Sequence, residues 1–131
     1  MKSKLLFVLI LFAVTTYALA QKKTVEPPAH KPKVTFIELG SVNCIPCKAM
    51  QPVMRAIEAK YGNQVQVLFY DVWTKEQQPY AQKYGIRLIP TQVFLDENGK
   101  EFFRHEGFLA EEEIHKLLQP KGLKPLSQKK G

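Results

Sequence analysis

Residues 34–72 combine two apolar runs with a helical segment between them, and this alternation limits the fold more than any other feature of the chain. Residues 34–39 are β-branched, aromatic and mostly apolar, which predicts a strand buried on both faces. Residues 44–61 follow a helical period, and residues 65–72 form the second apolar run. A strand, a helix and a strand in this order predict a parallel pair of strands joined by a crossover helix.

The second half of the chain predicts a further helix, a hairpin and a terminal helix. Residues 74–84 have a helical pattern that Pro79 disturbs near its start, and residues 86–95 form a strand candidate that Pro90 interrupts. The turn signal at 96–99 predicts an antiparallel hairpin with residues 100–104. Three glutamates open a helical pattern at 110–119. The order β-α-β-α-β-β-α predicts an α/β fold of one domain, with a mixed central sheet flanked by helices.

The helix predicted from residue 44 to about residue 61 has an apolar stripe at four-residue spacing, which contains Ala49, Val53, Ile57 and Tyr61. Pro52 lies inside this helix, where the missing N–H and the ring predict a kink. Gly62 follows the last stripe residue and predicts the end of the helix.

The termini predict a protein that is exported. Residues 1–20 combine an early basic pair, an unbroken apolar run at 5–14 and a small-residue cleavage site ending at Ala20, which is the layout of a secretory signal peptide. An uncleaved membrane anchor is the alternative, although a span needs about 20 apolar residues. Residues 21–33 then form a Pro/Lys-rich linker, residues 34–120 the folded domain and residues 121–131 a basic C-terminal tail. We expect a periplasmic or otherwise extracytoplasmic location.

The formal net charge of +7 resembles that of a nucleic-acid-binding protein, but its distribution argues against this class. Residues 34–120 contain nine basic and eleven acidic side chains, so the positive excess lies in the terminal segments. A nucleic-acid-binding domain carries its basic residues on the folded surface. We therefore expect no nucleic-acid partner, while a weak attraction of the tails to an anionic membrane surface stays open.

The segment Cys44-Ile45-Pro46-Cys47 lies where the first predicted strand gives way to a helix. Cysteines three residues apart at a helix start can come within disulfide range. The free N–H groups and the dipole of a helix N-terminus favour a thiolate. Cys44 is nearer the terminus and is expected to be the more exposed and more acidic thiol. Cys47 lies one turn further in, where it is better placed to resolve a mixed disulfide than to start one.

Other uses of the two cysteines remain open at this stage. They can form a structural disulfide, or half of a zinc site, which needs two further ligands. The only histidines are His30, His105 and His115, and none is adjacent to the pair in sequence. A copper(I) carrier that uses the two thiolates, and an interaction scaffold with an incidental disulfide, are the remaining alternatives.

Residues 34–119 resemble thioredoxin, and the resemblance covers nearly the whole predicted domain. The similar segments occur in the family's order along the chain: the strand at 36–39, the redox motif at 44–48, the helix proline Pro52, the segment 83–91 that contains the family's cis-proline, the turn at 98–99, and Gly107. Because these motifs are far apart, they are more specific together than a lone Cys-x-x-Cys. The resemblance implies a thioredoxin fold, and with the export signal it implies the extracytoplasmic branch.

The resemblance also implies roles for individual residues. Cys44 would be the attacking nucleophile and Cys47 the resolving thiol. Ile89-Pro90 would be a cis peptide that faces the cysteines, although an ordinary trans turn is the alternative for Pro90. The substrate-binding positions would be Ile45, Pro46, Ile89 and Pro90, where free backbone groups can pair with an extended substrate strand.

Glu38, six residues before the first cysteine, occupies the position where the resemblance implies a buried acid beneath the motif. Thioredoxins commonly have aspartate there. A carboxyl group in an apolar strand should have a raised pKa, and it can then exchange a proton with Cys47 during resolution. An acid on an exposed face of the strand is the alternative.

Two departures from the family predict a narrower range of substrates. Asn43 stands where thioredoxins have tryptophan, and Ile45 replaces the usual glycine; Trp73, outside the motif, is interpreted as a packing or lid residue. In having Pro46 between the cysteines, the chain resembles the reducing members of the superfamily. The implied activity is therefore reduction or isomerisation of protein disulfides. We expect a monomer. It needs no cofactor, because the two sulfurs hold both electrons. We also expect a membrane-embedded protein that supplies its electrons.

Overall fold

The computed structural model describes residues 30–126. The predicted signal peptide at 1–20, the linker up to residue 29 and the last five residues of the basic tail lie outside the described residues. Within the described range, no helix combines the length and the apolar character that crossing a membrane requires.

Within residues 30–126, four strands and three α-helices follow one another in the predicted order. They are β1 (Val34–Gly40), α1 (Ile45–Tyr61), β2 (Val65–Asp71), α2 (Gln78–Lys83), β3 (Thr91–Asp96), β4 (Glu101–Glu106) and α3 (Glu111–Leu118). Short 3₁₀ turns follow α1 at Gly62–Gln64 and α3 at Gln119–Lys121. The structure thus confirms the predicted α/β fold with a single mixed sheet.

The sheet has the order β2-β1-β3-β4, so β1 is an inner strand. β1 pairs with β2 in parallel and with β3 in an antiparallel manner, and β3 pairs with β4 as the predicted hairpin. An inner strand covered on both faces is mostly apolar, which explains the mostly apolar sequence of β1 and makes the buried Glu38 an exception.

Helices cover both faces of the sheet. On one face, Phe36 and Phe94 stack with their ring centroids 4.6 Å apart, beneath apolar residues of α1 and α3. On the other face, Ile37 and Val93 contribute to a second cluster, against which residues of α2 pack. Alternate residues of β1 therefore face α1, and among them are Phe36, Glu38 and Gly40.

Three sequence-based assignments are wrong in detail. The strand predicted at 86–95 begins only at Thr91, because residues 86–90 form an irregular segment that ends in a cis peptide bond before Pro90. The helix predicted at 74–84 is reduced to Gln78–Lys83 and is preceded by turns. In α1, Ala49 is exposed, and Met50 and Met54 are buried instead.

The C-terminal end of the described chain is attached to the domain. Leu123 is buried in the core cluster under α1, and Leu126 N–H donates to the carbonyl of Lys60 at 2.8 Å. Gln64 also exchanges hydrogen bonds with the backbone of Lys124. The folded body therefore continues past residue 120, the boundary expected from the sequence.

Candidate functional site

Cys44 and Cys47 form a disulfide at the N-terminus of α1. Cys44 is the N-cap residue, and its sulfur accepts a hydrogen bond from Cys47 N–H at 3.4 Å. No acidic residue lies in the first turn of α1, so no negative side chain there reduces the positive potential that favours a thiolate. Cys44 is 7% exposed and Cys47 is fully buried, which agrees with the predicted order of accessibility.

The buried sulfur of Cys47 lies against the end of β1. A Cβ atom built on Gly40 would be 3.2 Å from Cys47 Sγ and 3.3 Å from the ring of Phe69. A side chain at this position would therefore require Cys47 and Phe69 to move by a few tenths of an ångström. Glycine at residue 40 allows the close approach that brings the disulfide to the carboxyl end of β1.

Glu38 lies on the same face of β1, two residues before Gly40, and is fully buried. Its register partner on β3 is Gln92, whose Nε2 donates to Glu38 Oε2 at 2.9 Å. Burial raises the pKa of the Glu38 carboxyl from 4.5 to about 8, and the hydrogen bond from Gln92 offsets part of the shift. The structure thus places an acid with a strongly raised pKa beneath the disulfide-bearing end of α1.

The Ile89–Pro90 peptide bond is cis, as the resemblance implies. Pro90 directly precedes Thr91, which pairs with Leu39, so it lies beside the end of β1 that leads to the cysteines. The carbonyl of Pro90 accepts a hydrogen bond from Gly107 N–H at 2.8 Å. This bond ties the loop after β4 to the segment that contains the cis peptide.

Comparison with known proteins agrees with this geometry. A family described as "Thioredoxin-like domain" matches residues 19–121. The chain belongs to the thioredoxin-like family. A crystal structure of thioredoxin NaTrxh from Nicotiana alata superposes with a TM-score of 0.58 at 32% identity, covering 68% of this chain and 73% of that one.

Two curated thioredoxins illustrate the extent of the likeness. The thioredoxin of Borreliella burgdorferi is 30% identical over 76 residues, which are 58% of this chain and 62% of that protein. Thioredoxin Y, chloroplastic, of Oryza sativa is 29% identical over 87 residues, 66% of this chain and 50% of that protein. The chain therefore spans between half and about three fifths of the length of these relatives.

Within this thioredoxin-like domain, several exposed apolar residues lie around the disulfide. Ile45 is 82% exposed, and Pro46 is exposed beside it. Ile89 is half-buried. Pro90 is buried, so its side chain offers a substrate less surface than its predicted role as a substrate-binding position suggests. Leu88 and Phe108, on the neighbouring loops, are exposed large apolar residues that sequence reasoning did not select.

The carboxylate of Asp71 links two loops at this end of the thioredoxin-like domain. Its Oδ2 accepts from Val42 N–H and its Oδ1 accepts from Trp73 N–H, both at 3.1 Å. Val42 and Trp73 themselves are 56% and 63% exposed. Trp73 therefore does not pack in the core, and Asp71 holds it on the surface next to the loop that leads to Cys44.

Sequence reasoning missed Asp71 and Gln92, although both belong to the surroundings of the disulfide. The position of Gln92 inside an apolar run was a usable signal that its amide needs a hydrogen-bond partner, although the run does not indicate which partner. Among residues 30–126, no three His, Cys, Asp or Glu side chains gather in a way that could hold a metal ion.

Proposed function

We propose that this protein is an exported thiol–disulfide oxidoreductase that reduces protein disulfides through a mixed disulfide at Cys44. The observation that carries the proposal is the Cys44–Cys47 disulfide at the N-terminus of α1, where Cys44 is the N-cap residue, in a thioredoxin-like fold. The helix terminus favours the thiolate form of the reduced Cys44, and the thiolate is the nucleophile in disulfide exchange.

The reaction has two exchange steps. In the reduced protein, the Cys44 thiolate attacks a substrate disulfide, forms a mixed disulfide and releases one substrate thiolate. Cys47, one helical turn away, then attacks Cys44 Sγ, closes the protein disulfide and releases the second substrate thiolate. Two electrons pass from the protein to the substrate, and the sulfurs carry both without a cofactor.

Glu38 supports the second step as a proton acceptor. Cys47 is buried and must lose its proton before it can attack, because the thiolate is the reactive form. A carboxyl with a pKa of about 8, on the face of β1 beneath Cys47, exists in both protonation states near neutral pH. It can therefore accept the proton from Cys47 during resolution and return it when the disulfide is reduced again.

The activity is tested by measuring whether the protein accelerates the reduction of a protein disulfide by dithiothreitol. We expect acceleration by the wild-type protein and none by Cys44→Ser. Equal rates for the two proteins would exclude the oxidoreductase. Tight stoichiometric binding of copper(I) without disulfide exchange would select the alternative of a copper(I) carrier.

We expect the Cys44–Cys47 couple to have a reducing potential, near the value of about −270 mV that is typical of thioredoxin. The reason is the retained Pro46 between the cysteines, by resemblance to reducing members of the superfamily. Equilibration with glutathione of known redox ratio measures the potential. A value near that of strong oxidants, about −120 mV, would reverse the proposed direction of electron flow.

We expect Trp73→Ala to raise KM for a protein disulfide substrate about threefold to tenfold, with little change in kcat. Asp71 binds the backbone N–H of Trp73 and that of Val42, in the loop that leads to Cys44, so the exposed indole can offer apolar area to a docked substrate segment, and aromatic side chains dominate such contacts. Steady-state kinetics check the split, and Trp73→Phe should recover most of the affinity. An unchanged KM in Trp73→Ala would remove Trp73 from the docking surface.

Export and a membrane-embedded electron donor complete the proposal. An oxidising compartment re-forms disulfides, so a reductant there needs a supply of electrons from the membrane. We expect the protein recovered from the extracytoplasmic fraction to begin at Gln21, which N-terminal sequencing or intact mass detects. Recovery of the chain with residues 1–20 still attached would instead favour the membrane anchor.

A further inference from the structure

The buried pair Glu38 and Gln92 contains two oxygen atoms, Glu38 Oε1 and Gln92 Oε1, that have no hydrogen-bond partner in the part of the chain that the structure describes. Both side chains are fully buried, and they occupy directly opposed positions on β1 and β3. Buried polar atoms are rarely left without a partner, because each has lost its hydrogen bonds to water. The lack of a donor for one oxygen on each side chain of this hydrogen-bonded pair therefore requires an explanation.

The orientation of the Gln92 amide follows from its surroundings. Its Nε2 donates both to Glu38 Oε2, at 2.9 Å, and to the carbonyl oxygen of Gly107, at 3.0 Å. A backbone carbonyl only accepts, so the nitrogen of the amide must face Gly107. Exchanging the oxygen and nitrogen of the amide would oppose two acceptors at that point. Both N–H donors are thus in use, and Gln92 has none left for Glu38 Oε1.

A single proton on Glu38 supplies the donor that the pair lacks. Glu38 Oε2 already accepts from the amide, so the acid proton belongs on Oε1, which becomes a donor. A neutral carboxyl and a primary amide are complementary, since each offers one donor and one acceptor to the other. An ionised carboxylate would instead leave the oxygen of Gln92 without any donor.

We propose that Gln92 is a positioning residue for proton transfer between Glu38 and Cys47: its N–H holds Glu38 Oε2, and its carbonyl oxygen receives the hydrogen bond of a proton on Oε1. This inference rests on the proposed function, in which Glu38 accepts that proton. In the transfer, the Cys47 S–H bond breaks and the Glu38 O–H bond forms. The Cys47 thiolate then attacks Cys44 Sγ, and the substrate leaves as a thiolate.

Few other ionisable groups face Glu38 from the elements around it. From α1, Cys47 lies on the side of the sheet that Glu38 faces, while Lys48 is exposed. Next to Gln92 on β4 is His105, whose Nε2 lies 3.1 Å from the carbonyl oxygen of Phe108. Asp71, at the end of β2, accepts from the backbone of Val42 and Trp73. Gln92 is therefore the polar side chain that acts directly on the carboxyl.

The test compares the full-length wild-type protein with Gln92→Met, which keeps the volume and removes the amide. In the disulfide form near neutral pH, infrared spectroscopy should show a protonated-carboxyl band that Glu38→Gln lacks. Gln92→Met should move this band to higher wavenumber, because the carboxyl loses its amide partner. The pH midpoint of the resolving step, followed on a mixed disulfide of Cys44 with a chromogenic thiol, should rise by about one unit, because losing the Nε2–H bond that lowers the pKa of Glu38 outweighs losing the acceptor for its proton.

Two further measurements separate the possible outcomes. Val93→Ala, a buried change on the opposite face of β3, serves as the packing control and should leave the band and the midpoint unchanged. If Gln92→Met fails to fold, the side-chain amide resonances of Gln92 in the wild-type protein should shift with the titration of Glu38. A resolving step whose pH profile is the same in Glu38→Gln would contradict the proton relay of the proposed function. The role of Gln92 alone would be overturned if the pH profile depends on Glu38 but the infrared band and the midpoint are unchanged in Gln92→Met. Amide resonances of Gln92 that do not change with pH would overturn it in the same way.

Discussion

Replacing Cys44 by serine is expected to reduce the rate of protein disulfide reduction by about a thousandfold or more. A serine hydroxyl at the N-cap of α1 does not ionise near neutral pH, so the first exchange step loses its nucleophile. The reduction of a protein disulfide by dithiothreitol, with the variant in place of the wild-type protein, measures the loss. The variant should still fold, because serine is itself a favoured N-cap residue.

Cys47→Ser is the matched control for this assignment of roles. It keeps the nucleophile and removes the resolving thiol, so mixed disulfides between Cys44 and substrate proteins should accumulate and be visible by non-reducing electrophoresis and mass spectrometry. The reverse variant, Cys44→Ser, should trap little, because Cys47 is buried. Trapping through Cys47 in preference to Cys44 would exchange the two roles.

Glu38→Gln is expected to remove a large pH dependence of the free energy of unfolding. The pKa of the Glu38 carboxyl is about 8 in the folded protein and near its ordinary value of 4.5 in the unfolded chain. Between these values the unfolded state has released the proton and the folded state still binds it, so the wild-type protein loses stability as the pH rises. The expected loss from this residue is about 4 kcal/mol between pH 4.5 and pH 8.

Urea denaturation of the disulfide form at these two pH values checks the prediction. The free energy of unfolding of Glu38→Gln should vary less with pH than that of the wild-type protein, by an amount of this order. Glu97→Gln, an exposed change in the β3–β4 turn, should retain the wild-type slope. Parallel slopes for the wild-type protein and Glu38→Gln would show that the buried carboxyl is ionised throughout.

Much of the fold is predictable from local sequence. The burial of β1, the end of α1 at Gly62 and the β3–β4 hairpin each follow from a run, a stop signal or a turn signal within a few residues. The segment 86–90 is the exception, since it is apolar like a strand. It is not part of the sheet, and Pro90 at its end has no N–H to donate to a strand ladder.

The candidate site divides in the same way. Cys44 and Cys47 were predictable from their spacing at the start of a helix, whereas the cis peptide at Pro90 followed only from the resemblance of segment 83–91 to the thioredoxin family. The polar surroundings were not predictable from such motifs. Gln92 reaches Glu38 only because the β1–β3 register places them opposite each other, 54 residues apart in the chain. The register also places Thr91 and Leu39 side by side, which brings the cis peptide next to the end of β1.

The sequence by itself determined that two thiols would share the start of a helix after a buried strand. That arrangement depends on residues that are neighbours along the chain, so propensity and spacing are enough to establish it. Only the tertiary structure decided that a glutamine would partner the buried acid, and that Asp71 would bind the backbone of Val42 in the loop that leads to Cys44. These contacts join separate strands and loops, and hydrogen bonds of this kind depend on the relative placement of whole elements, which no local pattern encodes.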